Sequence, residues 1–247
     1  MTLLLHHARF RFLESIREPV ATVSSLLFPA LFMVMFSVAS SAVRDSAEHA
    51  TASAGQMAFF ALASAFAFNL GIGVAVDRDK PWELYVRALP VGAGAVLGGR
   101  LLNAAAIAVL SLVPVALVAG LLTEAHATPP RLVAALPVLL GCGLPFVFLG
   151  LAIGHSLPMK AAIPVVQLIM LPGSFLGGLW MPPSAFPAWL DPVSQALPTR
   201  AGRELVLGAL TGTDPGPVAL PVAIGWTVLL GALAVAAYRR DEGRRFR

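Results

Sequence analysis

Charge is what this chain has least of: Asp, Glu, Lys and Arg make up 12% of its 247 residues, against 57% hydrophobic. At a mean hydropathy of +0.81 there is too little polar side chain to cover a soluble domain of this size, and a water-soluble fold is excluded. Cysteine is nearly absent, and Cys142, alone in an apolar run, can form no intrachain disulfide. No G-x-x-x-x-G-K-[ST] occurs, so the chain does not cradle nucleotide phosphates in the usual way. The 5 histidines include no H-x-x-x-H pair, the spacing that sets two metal ligands on one helical face. Ser174 sits in LPGSFLGG rather than G-x-S-x-G, with no His or Asp at its depth to activate it. It reads as a small residue where helices meet closely. No catalytic, cofactor-binding or metal-ligating residue is expected.

What the chain does have is long apolar runs. Crossing a hydrocarbon core about 30 Å thick takes roughly 20 apolar residues per helix. Runs at 20–43, 55–76, 95–122, 132–154, 161–180 and 217–238 meet that length. The expected fold class is an all-α integral membrane protein, one transmembrane domain over 1–247 with about six spans. The first run follows HHARFRFLESIREP and, at about 24 residues, exceeds the ~7–15 apolar residues of a cleavable signal peptide, so it counts as a helix. An even number of spans puts both ends on one side.

Positive charge sets the side. With both termini cytoplasmic, the inner segments hold Arg9, Arg11, Arg17, Arg78, Lys80, Arg87, Arg100, Lys160, Arg239, Arg240, Arg244, Arg245 and Arg247. The outer ones hold Arg44, Arg131, Arg200 and Arg203, a bias of about three to one that favours this orientation in a cytoplasmic (inner) membrane. The same topology explains the sequence pI of about 10.0, since the basic residues border spans and build no nucleic-acid-binding domain.

Inside the spans an ion-coupled pump would carry Asp, Glu, Lys or His. These spans carry almost none; Asn69, Asn103 and Gln167 are the strongest polar groups at depth, and Arg100 lies near enough to the inner edge to snorkel. Energy for any uphill transport therefore comes from outside the chain. Asn69, Phe68, Asn103, Gln167 and Trp180 are the candidates for a substrate path. Pro29, Pro114, Pro137, Pro145, Pro164 and Pro172 fall within apolar runs, which fits hinges or a cavity and equally the ordinary frequency of proline in membrane helices.

Three amphipathic pieces lie outside the spans. Residues 1–19 place Leu5, Phe12, Leu13 and Ile16 on one side and Arg9, Glu14 and Arg17 on the other, a helix for the interface plane that Pro19 stops. In VDRDKPWELYVRALPVG, residues 76–92, Asp79 is a plausible N-cap, Pro81 suits the first turn and Pro90 ends the helix. Trp82, Tyr85, Val86 and Leu89 share one face, and Glu83 pairs with Arg87 at i, i+4. That face fits an aromatic belt at the headgroups or a groove on a cytoplasmic partner, and composition does not choose. The third piece, 181–213, is interrupted by Pro182, Pro183, Pro187, Pro192 and Pro198, and reads as short helices dipping into the outer leaflet.

The layout resembles the membrane subunit of type-2 ABC exporters, the drug, lipid and polysaccharide export permeases. The resemblance covers nearly the whole chain and rests on Glu83 with Leu84, Pro90 with Val91, Gly99 with Arg100, and on SFLGGLWMPPSAFPAWLDPVSQALPTRAGRELVLGAL. RDKPW stands where the family has a Gly-Thr stretch. The resemblance implies a coupling helix at 77–91 docking in a separate cytoplasmic ABC ATPase, through Asp79, Trp82, Glu83, Tyr85, Val86, Arg87, Leu89 and Pro90. It further implies re-entrant outer helices at 181–213, a basic cytoplasmic tail at 239–247, and pairing with a second permease subunit, identical or related. ATP and magnesium are expected on the partner ATPase and no cofactor in this chain; membrane lipids are the other partner. Few charges in the spans favour a hydrophobic or amphipathic cargo over an ion, while Phe66, Phe68, Phe146 and Phe148 fit plain packing or an aromatic-lined glycan channel. A membrane scaffold without transport activity and an intramembrane enzyme are the competing classes, the second disfavoured because no nucleophile has a base.

Overall fold

The computed structural model describes residues 10, 13, 19–80 and 93–244, and all the regular structure among them is helical. The helices are α1 (Pro19–Met33, continuing into a π-helical turn Val34–Val38), α2 (Ser41–Arg44), α3 (Ala47–Asp79), α4 (Ala93–Leu110), α5 (Leu112–Leu122), α6 (Pro129–Ser156), α7 (Met159–Leu176), α8 (Leu190–Gln195), α9 (Pro198–Thr211) and α10 (Gly216–Arg244). A 3-10 turn, Pro183–Ala185, lies between α7 and α8.

Among the described residues, five helical stretches are long and apolar enough to cross a membrane: Ala47–Asp79, Leu97–Leu122, Pro129–Ser156, Met159–Leu176 and Gly216–Glu242. The first expected span, 20–43, is helical from Pro19 through the π-helical turn to Val38 and ends where Ser40 turns extended (φ −98°, ψ 112°). Apolar run length does not register such breaks. In the third expected span Pro114 has no N–H to return to Leu110, and the helix divides at Ser111, whose hydroxyl donates to the Ala108 carbonyl at 2.7 Å. The fifth stops at Leu176 because Gly178 turns left-handed (φ +75°), with Leu179 N–H returning to the Ser174 carbonyl at 3.0 Å. Conversely α3 starts eight residues before the expected 55, capped by the Ser46 hydroxyl, which accepts from His49 N–H at 3.4 Å.

With 33 residues, α3 is about 50 Å long and extends past a ~30 Å hydrocarbon core. It is the hub, touching α1, α4, α5, α6, α7 and α9. Lipid is as apolar as leucine, so helices in it associate through close packing rather than hydrophobic burial. Ala63, Ala67, Gly71 and Ala75, each four residues on, form a buried small-residue stripe along α3. Gly150 and Gly154 of α6 press against it: a Cβ on Gly150 would lie 3.0 Å from the Ala67 carbonyl oxygen, and one on Gly154 would lie 2.9 Å from that of Gly71. Phe59 of α3 fills the space left by Gly202 of α9, which seats α9 on the bundle.

The helix ends sort into two groups, as alternating spans require. Arg44, Thr51, Glu124 and His126 meet at one end, with Glu124 N–H on the Arg44 carbonyl at 3.0 Å and His126 N–H on the Thr51 hydroxyl at 2.9 Å. Asp77, Arg78, Arg100, His155 and Asp241 meet at the other. The expected outer segment 181–213 forms the 3-10 turn, α8 and α9, with α9 packed on α3, α6 and α10.

Candidate functional site

The densest chemistry lies where α3 ends. Successive helical residues are rotated by about 100°, so three consecutive charged side chains face three directions. Asp77 points to α4, its carboxylate 3.0 Å from Arg100 Nη2 and 3.1 Å from Lys80 Nζ. Arg78 points to α6 and α10: Nη1 donates to the Gly154 (2.8 Å) and Leu157 (3.2 Å) carbonyls, and Nη2 lies 2.9 Å from Asp241 Oδ1. A cation on the last carbonyls of α6 is also where the helix dipole favours it. Asp79 points to α7, where its carboxylate accepts from Met159 N–H at 3.4 Å. Asp241 Oδ2 in turn lies 3.4 Å from His155 Nδ1, whose ring stands edge-on to Tyr238 at 5.2 Å.

Asp77, His155 and Asp241 are 4%, 5% and 5% exposed, so these are buried ionic contacts rather than a solvated fringe. Such pairs are sensitive to loss of one partner, which strands a charge away from water. Several expectations change here. Arg100 does not reach water but closes on Asp77, and its side chain is largely buried. His155, one residue past the expected fourth span, occupies the last turn of α6. The tail expected from 239 is helical through Arg244, and Asp241 within it turns inward. Asp79, expected as the N-cap of the next helix, is the last residue of α3.

Of the residues expected to contact an ATPase, only Asp79 is among those described; Trp82, Glu83, Tyr85, Val86, Arg87, Leu89 and Pro90 lie outside them. So do Arg9, Phe12, Glu14, Ile16 and Arg17 of the expected interfacial helix.

The substrate-path candidates are spread over several faces. Asn69 is half-buried and spends its amide on the Ala65 carbonyl at 2.8 Å, beside a half-buried Phe68 packed on the core. Asn103 is half-buried on α4, and Gln167 is exposed midway along α7. Trp180 has the most definite setting, with ring centroids of Phe32 at 4.8 Å, Phe60 at 5.4 Å, Phe36 at 6.3 Å and Phe175 at 6.4 Å. Phe28, Phe32 and Phe36 recur every four residues on α1, a stripe the apolar runs concealed. The Ser37 hydroxyl, in the π-helical turn, bonds Ser53 and ties this stripe to α3.

On α8 and α9, Arg200 lies 2.6 Å from Glu204 and 3.3 Å from Asp191, and Arg203 lies 2.7 Å from Glu204. The surrounding donors orient the Gln56 amide so that its oxygen accepts from Arg203 Nη2 (2.8 Å) and Nε (3.1 Å) and its nitrogen donates to the Leu179 carbonyl (3.3 Å). Burial lowers the Arg203 guanidinium below its usual range, Glu204 opposing and Arg200 reinforcing the shift. It remains charged at any working pH.

Two comparisons bear on this arrangement. The family model of the ABC-2 type transporter matches residues 3–211. YvfS of Bacillus subtilis (strain 168), which carries the name of a transport permease, is 24% identical over 229 residues, covering 92% of this chain and 93% of its own.

Proposed function

Because this chain belongs to the ABC-2 type transporter family, we propose that it is the membrane subunit of an ATP-driven exporter for a hydrophobic or amphipathic cargo, a drug, secondary metabolite or lipid. The observation that carries this is the distribution of charge. Between the ionic layers at the helix ends, no described residue of a membrane helix is charged: α3 has none from 50 to 76, α6 none from 132 to 154, and α10 none from 216 to 238. A pathway of that kind suits an apolar cargo and offers no site for a coupling ion, so its work is supplied by a separate ABC ATPase. The ATPase docks on the segment after α3, through Trp82, Glu83, Tyr85, Val86, Arg87 and Leu89. The first helix, from Pro19, makes the sixth crossing, and both termini face the cytoplasm. Gln167, exposed at mid-span on α7, supports pairing with a second permease, since an amide in contact with lipid lacks partners that an assembly can provide. Export of a polysaccharide or lipid-linked glycan is the second reading, favoured by the rings gathered around Trp180.

The test is co-expression with an ABC ATPase, copurification, and uptake of a fluorescent amphipathic dye into inverted vesicles. Dye uptake that needs ATP, and that stops in the Trp82→Ala, Glu83→Ala double variant while the protein still inserts, is the expected result. Uptake indifferent to ATP, or wild-type uptake in the double variant, would sink it.

A further inference from the structure

We propose that Arg78 and Asp241 are positioning residues that make the end of α3 and the C-terminal helix α10 move as one body, carrying displacement from the segment after α3 to the outer face. The proposal rests on the proposed function for the source of that displacement. It rests on its own geometry for the path.

Four helices are tied within one turn of the point where the chain leaves α3. Asp77 holds α4 through Arg100, Arg78 holds α6 through the Gly154 and Leu157 carbonyls, and Asp79 holds α7 through Met159 N–H. Those contacts join neighbours in packing. The Arg78–Asp241 contact, at 2.9 Å, adds a helix from the far end of the sequence. Asp241 is 5% exposed and binds both Arg78 and His155, so the end of α10 is fixed to α3 and α6 by a single carboxylate.

At its other end α10 is fixed again. Trp226 Nε1 donates to the Ala196 carbonyl at 2.7 Å, between α8 and α9, and α10 packs on α9. Helix α10 has 29 residues, about 43 Å, and reaches from the inner ionic layer to the outer helices. A displacement at the inner face that carries Arg78 carries Asp241 with it, and the rigid helix delivers it to 190–211. Apolar contacts along α10 slide at little cost, whereas a desolvated ion pair resists separation. The ion pair therefore fixes α10 to α3 where packing alone does not.

The test uses the full chain with its ATPase and compares wild type, Arg78→Ala, Asp241→Ala, the double variant, and the charge-keeping Arg78→Lys and Asp241→Glu. Amide exchange at 236–242 reads the clamp without any ATPase, and dye export per ATP hydrolysed reads transmission. Expected are exchange raised by at least about tenfold in both Ala variants, copurification with the ATPase retained, and export per ATP reduced by about tenfold or more. The double variant is no worse than either single change, as for a pair acting as a unit, and the Lys and Glu variants stay near wild type. Unchanged exchange in the Ala variants, strictly additive losses, or loss of ATPase binding on removing Arg78 each overturn the proposal. A wild-type chain that retains no ATPase overturns the proposed function instead, and the exchange contrast still decides whether α10 is clamped.

Discussion

Replacing Gly154 by alanine adds one methyl group, and its consequence can be worked out from the contacts around it. A Cβ there would lie 2.7 Å from the Val74 Cβ and 2.9 Å from the carbonyl oxygens of Gly71 and Leu70. None of these is the end of a flexible side chain, so α3 and α6 must separate. Overpacking of this kind costs about 1–3 kcal/mol, while Gly to Ala in a helix interior returns up to about 1 kcal/mol. Gly141 lies on the same helix with nothing within 4 Å of its Cβ position, so Ala there collects the propensity gain alone. The propensity gain is common to both, so the two variants should differ in stability by the overpacking cost, roughly 1–3 kcal/mol, Gly154→Ala below wild type and Gly141→Ala at or above it. Unfolding by a denaturing detergent in mixed micelles, followed by tryptophan fluorescence, measures the difference. Equal stability of the two would show that α3 and α6 are not in backbone contact and would undo the account of the bundle. Gly154 also supplies a carbonyl to Arg78, so its Ala variant should show raised amide exchange in α10 as well.

Two further outcomes test other layers. Arg203→Ala takes away the donors to the Gln56 amide and one of the two guanidinium partners of Glu204, which keeps Arg200, and should cost about 1.5–3 kcal/mol, the range for hydrogen bonds to a charged group; Arg44→Ala, at the exposed contact with Asp45, should leave the unfolding midpoint unchanged in the same assay. Gln167→Leu should keep the monomer as stable as wild type and weaken self-association or export, read by crosslinking and dye uptake; unaltered values of both would mean that Gln167 faces only lipid.

The membrane class, the alternation of helix ends and the family were all legible in the sequence, because each depends on sums along the chain: hydropathy over a window, positive charge per loop, the signature around SFLGGLWMPP. What depends on one residue meeting another was not. Arg78 and Asp241 are 163 positions apart, and only the packing of α3, α6 and α10 brings them together. Each does lie within three residues of an expected span end on the same side, and that shared position was a usable signal. Ala63, Ala67, Gly71 and Ala75 were visible as a four-residue repeat, but small residues contribute little to a hydropathy sum and so leave no mark in it. Ser40, Ser111 and Gly178 each interrupt an apolar run without making it less apolar, which is why span boundaries inferred from hydropathy miss helix breaks.

The two kinds of contact that hold the bundle respond to motion over different distances, and this is what makes their separation along the membrane axis useful. Dispersion between the Ala63–Ala75 stripe and the glycines of α6 falls away within about 1 Å, so that seam is either closed or broken, and α3 and α6 move together. An ion pair decays as the inverse of distance, about 4 kcal/mol at 4 Å for an effective dielectric constant near 20 and half that at 8 Å, so it pulls across a gap that packing has already lost. Placed at mid-depth, such a pair would put charges in the apolar middle of the bundle, where they are costly. Where α3, α6 and α10 meet at Arg78, His155 and Asp241 it acts on helices of 28 to 33 residues at their tips, where a small rotation produces the largest displacement. Asp241 can therefore follow Arg78 through a tilt of the bundle that would separate a purely apolar contact, while the middle of these helices, from 50 to 76, 132 to 154 and 216 to 238, carries no charge.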